Sequence, residues 1–139
     1  MLLHASCVVI NGKAVLLVGP PGSGKSDLAL RLIDGGASLL SDDQTLLRCE
    51  NDILVASPPS SIEGLIEIRH VGLTQMPFTP LAPVALYVEL APPSENLERL
   101  PEPDAVFLLD HAVQRLRLPS FAASTPAKIR AALTYNFKN

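Results

Sequence analysis

Apolar and polar positions change their period several times along the chain, and each change marks an element. Residues 7–10 form a short, mostly β-branched run, Asn11-Gly12 follows, and a second apolar run covers 14–18. Asn-Gly between two such runs predicts a hairpin turn, because both residues tolerate positive φ. The second run reads as a buried strand that leads into a glycine-rich segment. Over residues 25–33 the spacing becomes helical: Leu28, Ala29, Leu32 and Ile33 share one face. Gly35-Gly36 ends that helix. Residues 38–41 read as a short strand that delivers Asp42-Asp43 at its end.

The middle of the chain is strand-rich. Runs at 44–48 and 53–56 flank the turn Glu50-Asn51-Asp52, and Pro58-Pro59 breaks the pattern. Residues 62–73 carry Glu67, Arg69 and Gly72 among apolar positions, and 84–90 read as a clear strand. The Pro-rich stretch 91–104 predicts a surface connection, followed by short strands at 105–109 and 116–118. Pro126 stands at a first helical position, which predicts a last helix over 126–136. The pattern is that of one α/β domain of 139 residues, strand-rich with only two helices.

Composition narrows the function classes. The chain is 47% hydrophobic, enough for a core without metal or disulfide support. Its net charge is -3 and it has no basic block, which argues against a general nucleic-acid binder. Cys7 and Cys49 form no Cys-x-x-Cys pair and read as two reduced thiols. No apolar stretch approaches the ~18 residues of a membrane span. The first residues lack the charged start and apolar run of a signal peptide, so the cytoplasm is the expected compartment. Phe107, Phe121 and Phe137 read as packing residues and His111 as a turn residue.

The candidate chemistry begins with Gly19-Pro20-Pro21-Gly22-Ser23-Gly24-Lys25-Ser26, which fits the Walker A pattern G-x-x-x-x-G-K-[ST]. Its glycines let the backbone curl so that N–H groups face phosphate oxygens, and the following helix adds its N-terminus. Lys25 is expected to reach the β and γ phosphates of a nucleotide and Ser26 to ligate Mg²⁺. Two acidic segments end apolar strands: Asp42-Asp43 and Asp110. The adjacent pair is the better candidate, one carboxylate holding the metal or its water and the other taking a proton. Asp110 reads as a strand-end turn residue. Glu67 and Arg69, alternating with apolar residues, are expected to share one face of a strand. A carboxylate beside a guanidinium suits Mg²⁺ and a transferring phosphoryl group, or else a surface ion pair.

The order of these features resembles HPr kinase/phosphorylase, the bacterial family that phosphorylates a serine of the phosphocarrier HPr. Leu3-His4 precedes the first strand, the Walker A segment follows, then Asp42-Asp43, and Glu67-Ile68-Arg69-His70-Val71-Gly72-Leu73 is similar to the signature Glu-x-Arg-Gly-x-Gly. The resemblance implies a P-loop kinase domain like the nucleotide-binding domain of phosphoenolpyruvate carboxykinase. It implies ATP and Mg²⁺, with Ser26 and Glu67 as metal ligands. His4, Lys25, Asp42, Asp43 and Arg69 become catalytic residues, Asp43 as proton acceptor in phosphorylation and proton donor in dephosphorylation. Lys128 in Pro126-Ala127-Lys128 stands where the family has an arginine, and His70 where the signature has Gly. A position that needs positive φ would be strained by that histidine.

The resemblance further implies the short, catalytic-domain-only form, without the N-terminal domain and C-terminal helical tail of long members. The implied partners are an HPr-type carrier of the phosphotransferase system and copies of the same chain, hexameric in the family. Read from the residues alone, two other functions use the same loop. One is a small-molecule kinase or NTPase, which leaves Glu67 and Arg69 without a role. The other is a non-catalytic nucleotide-sensing module.

Overall fold

The computed structural model describes residues 1–135, so Asn136, at the end of the expected last helix, and Phe137 lie outside the described residues. In chain order the first elements are β1 (Leu2–Leu3), β2 (Ala5–Ile10), β3 (Lys13–Val18), α1 (Lys25–Asp34) and β4 (Ser38–Ser41). Then come β5 (Thr45–Glu50), β6 (Ile53–Ser57), a 3-10 turn at Ser60–Ile62, β7 (Leu65–Ile68) and β8 (Gly72–Gln75). The last are β9 (Ala82–Ala91), β10 (Ala105–Leu108), β11 (His111–Pro119) and α2 (Thr125–Thr134). The strand-rich α/β reading with two helices therefore holds for the described residues. The expected strands at 105–109 and 116–118 are a hairpin whose second arm is much longer, because polar Gln114 and Arg115 still take their place in the ladder opposite Leu86 and Tyr87.

The main sheet has the order β1-β5-β6-β9-β3-β2-β4, with β11 also on β9 and β10 on β11. β3 and β11 run parallel to β9. β2 is antiparallel to both β3 and β4. It follows that β3, β4, β9 and β11 all point the same way and end at one edge, where β2 begins. Gly19, Asp42 and Ser120 leave the sheet at that edge. Asp110 precedes β11 and therefore lies at the opposite one.

All six residues of β2 are buried. Successive side chains point to opposite faces, so one strand serves two cores. Val8, Ile10, Val15 and Leu17 pack with Leu28, Leu32 and Ile129 of the helices. Cys7, Val9, Ala14 and Leu16 pack with Leu47, Leu54 and Leu108 on the other face. Burial of both faces explains why these runs read as continuous apolar stretches rather than as alternation. Cys7 is fully buried, and burial pushes its thiol well above the ordinary range, whereas Cys49 is exposed.

Three hairpins turn on a pair of positive-φ residues: Asn11-Gly12 (51° and 76°), Asn51-Asp52 (51° and 62°) and Leu109-Asp110 (47° and 64°). This is the type I′ geometry that matches strand twist. Leucine is the exception among them, since its side chain crowds the carbonyl in this region. His111, expected in a turn, is the first residue of β11. Its Nδ1 lies 2.9 Å from the Leu109 carbonyl and its Nε2 3.0 Å from the Asp52 carbonyl, which ties two turns together. Both acceptors favour the doubly protonated ring and raise its pKa. The Pro-rich connection is fastened to the sheet by Arg115 to Asp104 at 2.7 Å and by Arg117 to both Glu89 and Glu95. The Arg115 hydrogen bond holds the Asp104 carboxyl below its usual range.

Two outcomes test this architecture. Replacing Leu109 with Asn should raise the unfolding free energy by about 1 kcal/mol, read from the denaturant midpoint, because Asn accepts the left-handed region. A thiol reagent at neutral pH should modify Cys49 rapidly and Cys7 only under unfolding conditions, giving one fast equivalent per chain by mass spectrometry.

Candidate active site

The loop 19–26 joins the C-terminal end of β3 to the start of α1. Gly24, the residue before the helix, has φ 98°, a conformation that excludes most side chains. The Ser23 amide closes a turn onto the Pro20 carbonyl at 3.0 Å. The Ser23 side chain folds inward so tightly that a Cβ on Gly19 would fall 2.5 Å from its Oγ. That hydroxyl is buried and has no hydrogen-bond partner among the described residues. Lys25 is buried too, and its Nζ donates to the Gly19 carbonyl at 2.8 Å. The loop thus wraps its own lysine, with one carbonyl and one carboxylate as counterparts.

Asp42 and Asp43 are adjacent in sequence but occupy different surroundings. Asp42 Oδ1 accepts hydrogen bonds from the Ser26 hydroxyl at 2.7 Å and the Ser6 hydroxyl at 2.8 Å. Its Oδ2 accepts the Glu67 amide at 3.1 Å. One carboxylate therefore joins β2, α1 and β7. Asp43 has φ 66°, which an aspartate tolerates, and its amide donates to Ser6 Oγ at 3.1 Å. That bend turns its side chain outward: it is 67% exposed, with Oδ1 3.9 Å from Lys25 Nζ. The pair divides into a carboxylate locked by three donors and a carboxylate open to solvent beside the lysine.

The hairpin of β7 and β8 is anchored by Ile66, which is buried in the helix-side core. Glu67 is exposed and approaches Asp42 through its backbone. Arg69 does not share a strand face with Glu67. β7 ends at Ile68, which pairs with Gly72, so Arg69, His70 and Val71 form the turn. The strand stops there because the hairpin needs those three residues to reverse. His70 has φ 71°, so the position does take the left-handed conformation that a glycine would accept without strain. Residues 67–73 line a shallow concavity beside this turn.

His4 is exposed and precedes Ala5, whose strand partner Val18 leads into the loop. Lys128 is exposed on α2 and lines a different cleft, of about 900 Å³, with Gln114, Arg117 and the Pro-rich connection. Asp110 sits in its hairpin turn, away from the edge that carries the loop. Sequence reasoning missed Ser6. Its signal was a lone hydroxyl in an otherwise apolar strand, and it is fully buried where it meets both aspartates. It also missed Arg31, whose guanidinium donates to the Ser120 carbonyl and, at 3.3 Å, to that of Ala122.

Known proteins share this fold. A solved structure titled HPr(Ser) kinase/phosphatase from Coxiella burnetii superposes with a TM-score of 0.84 at 29% identity, covering 96% of this chain and 88% of that one. HPr kinase/phosphorylase of Geobacillus thermodenitrificans strain NG80-2 is 33% identical over 147 aligned positions, covering 98% of this chain and 48% of the relative. That of Bacillus cereus strain B4264 is 44% identical over 72 positions, or 51% of this chain and 23% of the relative. The chain spans about half the length, or less, of these curated relatives. The family model of the HPr Serine kinase C-terminal domain matches residues 1–138, taking in the loop, the Asp42 cluster and the β7–β8 hairpin together, and the chain belongs to that family.

Proposed function

We propose that this chain is the catalytic domain of an ATP-dependent protein serine kinase that acts on an HPr-type phosphocarrier of the phosphotransferase system and also dephosphorylates it. The observation that carries the reading is the split between the two aspartates. Asp43 stands open to solvent 3.9 Å from the lysine of the Walker A motif, while Asp42 is fixed by Ser6, Ser26 and the Glu67 amide. A bulky protein acceptor needs an exposed base, because its serine must come to the enzyme from outside. The parallel course of β3 and β9, with β2 antiparallel beside them, supports kinship with the nucleotide-binding domain of phosphoenolpyruvate carboxykinase.

The donor set suits Mg²⁺. Ser26, Asp42 and Glu67 offer oxygen only, as a hard cation requires. Among the described residues no three His, Cys, Asp or Glu side chains converge, so the shell fits a metal held largely by nucleotide phosphates and water. When bound, Mg²⁺ neutralises charge on the β and γ phosphates. Ser26 and Glu67 would hold it, with Asp42 orienting the Ser26 hydroxyl. Lys25 exchanges the Gly19 carbonyl for phosphate oxygens. The loop amides and the orphaned Ser23 hydroxyl complete the cradle. Asp43 takes the proton of the acceptor serine, and in the reverse reaction returns it to the leaving hydroxyl. Arg69, in the hairpin turn, and His4, just before β2, flank the transferring phosphoryl group. Lys128, in the separate cleft on α2, takes its place in this reading from the family resemblance alone, as a positive charge without the two-pronged geometry of an arginine. Homo-oligomeric assembly is part of the same reading.

Incubation with labelled ATP, Mg²⁺ and a purified HPr-type carrier should yield phosphoserine on the carrier. Asp43→Asn should lower transfer by about 10²–10⁴-fold while leaving ATP binding in place. Carrier-independent turnover that survives Arg69→Ala would make the protein a small-molecule kinase or NTPase instead. ATP binding with no turnover would make it a nucleotide sensor. Separately, Asp42→Ala strips the common acceptor from Ser6 and Ser26, and should raise the Mg²⁺ concentration needed for half-maximal activity by about ten-fold or more.

A further inference from the structure

Phe121 is the one large aromatic side chain among the described residues that borders the loop, and it is 59% exposed. It follows β11, whose last residue Pro119 pairs with Ala91 at the edge where β3 delivers Gly19. Its ring edge abuts the loop: a Cβ on Gly24 would come within 2.9 Å of Phe121 Cζ. The segment that carries the ring is held firmly. Arg31 donates to the carbonyls on either side, those of Ser120 and Ala122, and is itself bound to Asp27 Oδ2 at 3.0 Å within α1. Thr125 Oγ1 donates to the Pro119 carbonyl, and Ser120 and Thr125 are buried. An aromatic ring is thus fixed against a phosphate-binding motif with much of its surface still facing water. Burial of the ring on its own chain does not explain this arrangement.

Sheet order gives the ring a direction relative to the acidic pair. Counting across the edge, β4 with Asp42 and Asp43 lies on one side of β3, beyond β2. β11 with Phe121 lies on the other side, beyond β9. A nucleotide whose terminal phosphate sits at Lys25 and Asp43 would have Phe121 on the far side of the loop from that phosphate. We infer that Phe121 is the stacking platform for the base of the nucleotide held by loop 19–26, and that Arg31 positions it. The ligand class is a purine nucleoside triphosphate, with the phosphates read by the loop and the base by the ring face. This inference rests on the reading of the loop as a nucleotide site.

The test separates base from phosphates by using tripolyphosphate, which lacks a base. Calorimetry with Mg²⁺ should show Phe121→Ala binding ATP about ten-fold or more weakly, while its tripolyphosphate affinity stays within about two-fold of the parent, as loss of one base–aromatic stack requires. The sequence contains no tryptophan, so Phe121→Trp creates a single reporter, whose fluorescence should be quenched by ATP and left unchanged by tripolyphosphate. Equal losses for both ligands in Phe121→Ala would mean that the ring only supports Gly24, and would overturn the inference. So would unchanged affinity for both. If the parent protein bound neither ligand, the nucleotide reading of the loop would fall, and the platform with it.

Discussion

Everything in this molecule follows from strands buried on both faces. β2 and residues 14–17 of β3 have no solvent side, so each must alternate its side chains between a helix-covered core and a strand-covered one. A fully buried Leu or Val is worth about 1.5–3 kcal/mol relative to exposure, and these strands collect that term on both sides. The arrangement leaves the strands almost no freedom of register, because a slip of one residue would exchange the contents of the two cores. It also keeps polar groups out of these central strands, so they gather where the strands end. The parallel strands β3, β9 and β11, and β4 beyond β2, release their loops at one such edge, and the candidate chemistry is assembled there.

At that edge the fold treats two identical side chains differently. Asp42 is drawn inward by two hydroxyls and an amide from three separate elements. Asp43, after a left-handed turn, is left outside next to Lys25. Charge-assisted hydrogen bonds of this kind are short and directional, so they fix Asp42 and, through it, the start of α1 and the backbone of β7. The open aspartate owes its placement to the locked one. Ser6 mediates between them by donating to Asp42 and accepting from the Asp43 amide. A buried serine in an apolar strand is otherwise hard to explain, since an unpaired hydroxyl there is costly.

Much of this was legible in the chain. The Asn11-Gly12 turn, the Walker A segment, the helix over residues 25–33 and the short strand before Asp42 all carry local signals, and the family resemblance rested on motifs in that first half. The Glu67 and Arg69 expectation failed on a local point: three residues of a tight reversal look, in sequence, like a continuation of the strand. The full length of β11 is hidden in the sequence because Gln114, Arg115 and Arg117 interrupt its apolar pattern. Those side chains sit at the surface of the ladder, and two of the three pair with acids of the Pro-rich connection. Phe121 read as packing, because nothing in the sequence tells an aromatic in a core from one seated beside a loop.

The sequence by itself determined the period of each segment, the turn residues and the presence of a phosphate-binding motif, since all of these depend on a few neighbouring residues and their allowed backbone angles. Only the tertiary structure decided which acidic segment meets the loop, which of two adjacent aspartates is locked, and which side chains from β2, α1 and β11 converge on residues far away in the chain. Those outcomes depend on the direction and order of strands in the sheet. That order is set by burial shared among distant segments, which no local pattern records.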